Sequence, residues 1–304
     1  MQALSEQDNR YKSLYGLLGL FLFILFCSAL GSYLMQGLGQ WAGEDYQNAI
    51  LKIKTENSLH IRYYVRLSSI VSQVTTFLLP ALMISIFLHR NDWTAFLKLH
   101  RGPSFQLSAL GVFFLFATFP IAQWLFEFNK SLPLPDWAVS LEQDLGELSN
   151  ALLVMESPSE LIFNLITIAV VPALAEELLF RGVLQQKIRA LSQRPHFSIW
   201  LAALIFSAVH GQFEGFLARL LLGAALGYLL YWTNNLWIPI IAHFFNNGIQ
   251  VVLKYYHPIP SEKTANLELS SLLLVVSIIF TFILGYLIIN YSGKTSTRHR
   301  TASK

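Results

Sequence analysis

The chain has 304 residues, is 54% hydrophobic and only 13% charged, and has a mean hydropathy of +0.48 with a net charge of +3. A soluble domain carries about 25% charged residues. This deficit, with several apolar runs of about 20 residues, excludes an ordinary soluble globule and points to a polytopic helical membrane protein. Its basic residues are scattered over loops and tail, which excludes a nucleic-acid partner. The single cysteine, Cys27, excludes an internal disulfide and a cysteine-rich metal site; set in an apolar run, it reads as a packed thiol.

In chain order, Met1–Ser13 is a polar tail and Leu14–Met35 the first span, too long for a cleaved signal segment. Gln36–Tyr64 is a mixed polar connection. Val65–Leu88 is the second span, with Pro80 inside it. His89–Gln106 is basic through Arg90, Lys98 and Arg101, and Leu107–Phe126 is the third span. Asn129–Glu160 differs in character. After Pro133 and Pro135, the residues Trp137, Leu141, Leu145, Leu148 and Leu152 recur at helical spacing, with Glu142, Asp144 and Glu147 between them. That is an amphipathic, acidic helix, read as an interfacial helix packed on the bundle; a lid over a membrane-facing cleft is the sharper alternative.

Leu161–Phe180 is the fourth span, with Pro172, followed by the basic stretch Arg181–Phe197. Ser198–His210, Phe216–Trp232, Leu236–Tyr256 and Ser271–Tyr291 are the fifth to eighth spans. His257–Ser270 is a loop with two prolines and Gly293–Lys304 a basic tail. The fold expected is therefore all-α: a polytopic integral membrane helical bundle of about eight transmembrane helices plus one amphipathic interfacial helix. It forms a single membrane domain over 1–304, with 1–160 and 271–304 flanking the stretch 161–254. Eight spans put both termini on one side, and the distribution of Lys and Arg makes that side cytoplasmic, in a multi-pass protein of the cell membrane. Gln36–Arg66 is the exception, with its basic residues on the outer side.

Three segments place polar groups where apolar ones cost less: Glu176-Glu177-x-x-x-Arg181, Phe206 to His210, and His243 to Asn247. Ionisable groups at membrane depth are functional-site candidates. On a helix Glu177 and Arg181 share a face, while Glu176 is turned about 100° away, so one acid is tied to the arginine and the other is free. A carboxylate and a histidine hold a water between them, and a desolvated carboxylate is the stronger base. A second histidine and an asparagine amide donate to an oxyanion. That set is sufficient for water attack on an amide without a serine or cysteine nucleophile. Taken singly, each motif also reads as structural: an ion pair, an interhelical donor, polar glue between helices. Gly223 and Gly227 mark close helix packing, and Arg219 reads as a snorkelling residue or a partner of Glu214.

In order and spacing these motifs resemble the CPBP (Abi) family, the CAAX proteases and bacteriocin-processing enzymes that include the type II CAAX prenyl endopeptidases. The resemblance rests on Glu176-Glu177 to Arg181, Phe206 to His210, Gly223 to Gly227, and His243 to Asn247, with Asn234-Asn235-Leu236-Trp237-Ile238-Pro239 leading into the last. It implies an intramembrane endopeptidase whose catalytic core lies in 161–254. Glu176 is its general base, His210 helps hold the catalytic water, His243 and Asn247 form the oxyanion hole, and Glu177 with Arg181 supports them. It implies no cofactor, and a peptide or membrane-protein substrate within the lipid bilayer. Two alternatives stand beside it. Glu176, His210 and His243 are of the right type to bind zinc, though no HExxH helix is present. A non-enzymatic bacteriocin-immunity or scaffold protein would use the same cavity to bind a peptide.

Overall fold

A computed structural model describes residues 2–56, 58–257 and 271–302 of the chain. Ten helical runs build it: α1 (Gln2–Ala42), α2 (Tyr46–Thr55), α3 (Leu59–Phe96), α4 (Phe105–Lys130), α5 (Asp136–Leu152), α6 (Pro158–Ser192), α7 (Pro195–Ala208), α8 (Phe216–Thr233), α9 (Trp237–Tyr256) and α10 (Ser271–Ala302). No strand occurs among the described residues. The expected proline-containing loop after His257 lies outside them.

Six of these runs, α1, α3, α4, α6, α8 and α10, are long and apolar enough to cross a membrane. Two of the eight expected spans fall short for different reasons. α7 has 14 residues, about 21 Å at 1.5 Å per residue. α9 has 20 residues but carries His243, Asn246, Asn247 and Gln250, which no lipid-facing helix would hold. Both are the helices that bear candidate site residues. The molecule is thus a multi-pass helical membrane bundle.

α6 is its centre. Half of its apolar stretch, 50%, is buried within the protein, against 22% for α1 and 17% for α10 at the periphery. Its turns widen to π-helix over Leu165–Val170, just ahead of Pro172; α3 does the same over Val74–Leu78, ahead of Pro80. A proline lacks the N–H and its ring collides with the carbonyl four residues back, so a wider turn relieves the clash without breaking the helix. A third wide stretch, Glu177–Gln185, follows the acidic pair directly.

α7 and α8 pack closely because Gly223 and Gly227 face α7. A Cβ on Gly227 would come within 2.9 Å of Ile199 Cγ2 and 2.8 Å of Gln185 Oε1. The bare backbone also lets Gln185 Nε2 reach the Gly227 carbonyl at 3.1 Å and Arg181 reach the Gly223 carbonyl at 2.9 Å. Gly227→Val is expected to destabilise the protein by about 1–3 kcal/mol through overpacking, read as a lower unfolding midpoint in detergent.

The bundle has two chemically distinct ends. At one, Leu236 N–H donates to Lys98 O (3.1 Å) and Trp237 Nε1–H to Leu99 O (3.2 Å), tying the α3–α4 and α8–α9 connections together. This end is basic. At the other end lie α2, α5 and the turn between α7 and α8, and here the acidic residues collect. The basic residues that break the expected charge pattern are at this acidic end, and each is neutralised. Lys52 pairs with Glu44 (2.9 Å), and Lys54 with Asp144 (2.8 Å) and Glu147 (3.2 Å) on α5. Arg62 pairs with Glu160 (2.7 Å) and Glu156 (2.7 Å). Arg66 pairs with Glu160 (2.8 Å) and donates to the carbonyls of Leu152 and Val154. The mixed polar connection, which the sequence allows to be partly helical, is α2 and the start of α3, clamped to α5 and α6. α5 adds Leu148 and Leu152 to the cluster around Ala49, Ile53 and Val65. Its Glu142 carboxylate accepts from Phe213 N–H at 2.7 Å, and Trp137 meets Phe213 edge to face. It lies across the acidic end as an interfacial helix joined to two neighbours.

Candidate active site

The site is assembled from α3, α6, α9 and the end of α7. On α6, Glu176 and Glu177 diverge as helix geometry requires. Glu177 is fully buried and accepts from Arg181 Nη1 at 2.7 Å across one turn. Arg181 is held in turn by the Gly223 carbonyl and lies over the Phe206 ring, 4.5 Å from its centroid. A buried charge pair with these extra partners is satisfied; either member alone would not be.

Glu177 has a second task. His243 Nδ1 lies 2.9 Å from the same Glu177 Oε1. A carboxylate accepts, so Nδ1 carries a proton and Nε2 is turned away from Glu177. Nε2 is 3.9 Å from Glu176 Oε2 and 3.2 Å from Asn247 Nδ2. One N–H of Asn247 donates to Ile168 O at 3.0 Å, where the widened turn of α6 offers its carbonyl; Asn247 Oδ1 accepts from Asn246 Nδ2 at 2.8 Å. These two bonds fix the amide and direct its other N–H toward His243 Nε2.

His210 sits just beyond the C-terminus of α7. Its Nδ1 donates to Phe206 O at 2.7 Å, so in the neutral ring the Nε2 lone pair is the free position. Phe206 stacks edge to face on both His210 and His243. It spaces the two histidines and shields Arg181.

Glu176 lines a cavity of about 330 Å³ together with Gln73, Phe206, His210, Arg219, His243 and Asn247. Glu177 and Arg181 stand behind its wall. The structure thus brings Glu176, His210, His243 and Asn247 to one cavity, with Glu177 and Arg181 behind His243. Among the described residues, no three His, Cys, Asp or Glu side chains are placed to share a metal ion. Ser207, within the histidine segment, is fully buried and donates to Phe216 O at 2.7 Å.

Two cavity residues escape the motif reading. Gln73 on α3 donates from Nε2 to Glu176 Oε1 at 3.2 Å, and its own Oε1 is buried without a partner. Its one signal in the sequence is an amide in an apolar span shortly before Pro80. Arg219, expected to snorkel or to pair with Glu214, instead bonds the side chain and backbone carbonyl of Gln212 and turns into the cavity. The turn after α7 brings Gln212 back onto the first turn of α8.

Comparison with known proteins bears on the same segment. Residues 158–249 match the family model described as type II CAAX prenyl endopeptidase Rce1-like. The uncharacterized protein YpbD of Bacillus subtilis (strain 168) is 32% identical over 117 residues, covering 37% of this chain and 55% of that protein. The chain thus spans about half the length of this curated relative. No solved structure matches. The matched segment contains α6 to most of α9, and so every site residue named above except Gln73.

Proposed function

We propose that this multi-pass membrane protein, with its Rce1-like segment at 158–249, is a glutamate-dependent intramembrane endopeptidase of the cell membrane with both termini in the cytoplasm. One observation carries the reading. Glu176 is 4% exposed yet lines the cavity, free of Arg181, with a histidine and an asparagine amide at its side. A buried carboxylate spared its counter-ion has a use other than stability.

In the reaction, water sits between Glu176 and the Nε2 lone pair of His210. Glu176 takes one proton as the oxygen attacks the carbonyl carbon of a substrate peptide bond. The charge that forms on the carbonyl oxygen is met by the Asn247 N–H that points at His243 Nε2 in the resting site, and by His243 itself once Nε2 carries a proton and that bond is released. Glu176 then passes its proton to the amide nitrogen, the C–N bond breaks, and an acid and an amine leave. Glu177 fixes the His243 ring through Nδ1, and Arg181 keeps Glu177 in place. A peptide or a segment of a membrane protein is the substrate.

Asn247→Ala is expected to lower kcat by about 10²–10³ with KM changed little, because the lost donor acts on charge that appears only in the transition state. Gln73→Leu is expected to cost about 10- to 100-fold, the worth of one hydrogen bond to a charged group. Both are read from cleavage of quenched peptides by purified protein in lipid. Unchanged kcat in Asn247→Ala refutes the oxyanion assignment. Loss of wild-type cleavage on chelation, restored by zinc, refutes the metal-independent mechanism.

A further inference from the structure

The cavity does not run through the bundle. From Leu115, Phe206 and Leu226 at mid-depth its wall leads to His210, Arg219 and Leu152, all at the acidic end. On the opposite side of Glu176, Leu97, Leu178, Leu179, Val183, Leu236 and Ile240 form one apolar cluster, none more than 5% exposed. Its members include the connections of the basic end, and it plugs that path. The lined route to Glu176 thus lies on the acidic-end side.

Charge then decides which side of the membrane this is. The connections at the basic end carry Arg90, Lys98, Arg101 and Arg194, with Asp92 as their acid. The acidic end carries Glu44, Asp45, Asp136, Glu142, Asp144 and Glu147, and Lys52, Lys54, Arg62 and Arg66 are paired with acids there. Lys and Arg in short loops and near span ends mark the cytoplasmic side, and acids contribute little to the rule. Both tails add Arg10, Lys12, Lys294, Arg298 and Arg300 to the basic end, so the count favours it even with Lys52, Lys54, Arg62 and Arg66 at the other.

We infer that the site opens on the non-cytoplasmic side, and that its substrates are extracytoplasmic segments of membrane proteins rather than lipid-modified carboxyl termini on the cytoplasmic face. The orientation stands without the protease reading; that these segments are cleaved rests on it.

The test uses single-cysteine variants on a Cys27→Ala background in the full chain. Ser69→Cys and Leu222→Cys report the cavity, Asn150→Cys the exposed face of α5, and Arg194→Cys the basic end. A small, charged, membrane-impermeant methanethiosulfonate is added to right-side-out and to inverted vesicles. The cavity cysteines and Asn150→Cys are expected to react in right-side-out vesicles and Arg194→Cys in inverted ones. Cavity cysteines that react only in inverted vesicles, or in neither while Asn150→Cys reacts, overturn the inference. Cleavage is not read in this experiment, so an orientation that holds for an inactive protein is told apart from an orientation that fails.

Discussion

Glu176→Gln is expected to lower peptide-bond cleavage by on the order of 10⁴-fold, at the upper end of what a positioned acid–base group supplies. The substitution removes two functions of one atom pair: the base that takes a proton from water and the acid that returns it to the leaving nitrogen. It removes little else. The amide is the shape of the carboxylate, Gln73 still finds an oxygen to donate to, and a buried charge disappears rather than being stranded. The unfolding midpoint in detergent is therefore expected to stay within a few degrees of wild type. Residual activity above about a tenth of wild type would assign the base elsewhere.

Glu160→Leu carries the largest expected effect on stability. Glu160 is 1% exposed and answers both Arg62, 2% exposed, and Arg66, with no exposure at all. Removing it leaves Arg66 with carbonyl partners and takes from Arg62 its buried counter-charge, the acid that remains being the exposed Glu156. Breaking a buried pair from one side costs about 3–5 kcal/mol. The variant is expected to unfold at a much lower temperature and to accumulate poorly. Replacing all three, with Arg62→Met and Arg66→Met added, is expected to recover most of the loss, since the desolvation cost of the charges then vanishes too. A single variant as stable as wild type would contradict the buried network.

The helical membrane bundle was legible in the sequence because length and apolarity set spans almost directly. The less apolar helices were legible for another reason: His210, His243 and Asn247 broke runs that had no other cause to be broken. Glu177 and Arg181 could be paired from spacing alone, because one turn of helix brings them together whatever surrounds them. Contacts between distant segments were not legible. Gln73 lies 103 positions before Glu176, and nothing local announces that α3 and α6 meet there. The same holds for Glu160 with Arg62 and Arg66. Acids on one segment and cations on another are plain in the sequence, but not that each answers the other. Arg219 shows the limit at short range: its partner Gln212 is set by the shape of a turn, while charge alone favours Glu214.

These two networks divide the work. The one at the acidic end clamps α2, α3 and α5 to the start of α6. The one at mid-depth orients His243 through Glu177 and keeps Arg181 away from Glu176. The second is a positioning device whose value lies in what it leaves free.

Glu176 is proposed to drive peptide-bond hydrolysis in the membrane. The most direct test compares the peptides released from membrane proteins in cells that express wild type or Glu176→Gln at matched abundance. Peptides that appear with wild type alone, bounded by cuts in extracytoplasmic segments, are the predicted result. Identical peptide profiles at matched abundance would contradict the protease account and leave the cavity as a place that binds a peptide without cutting it.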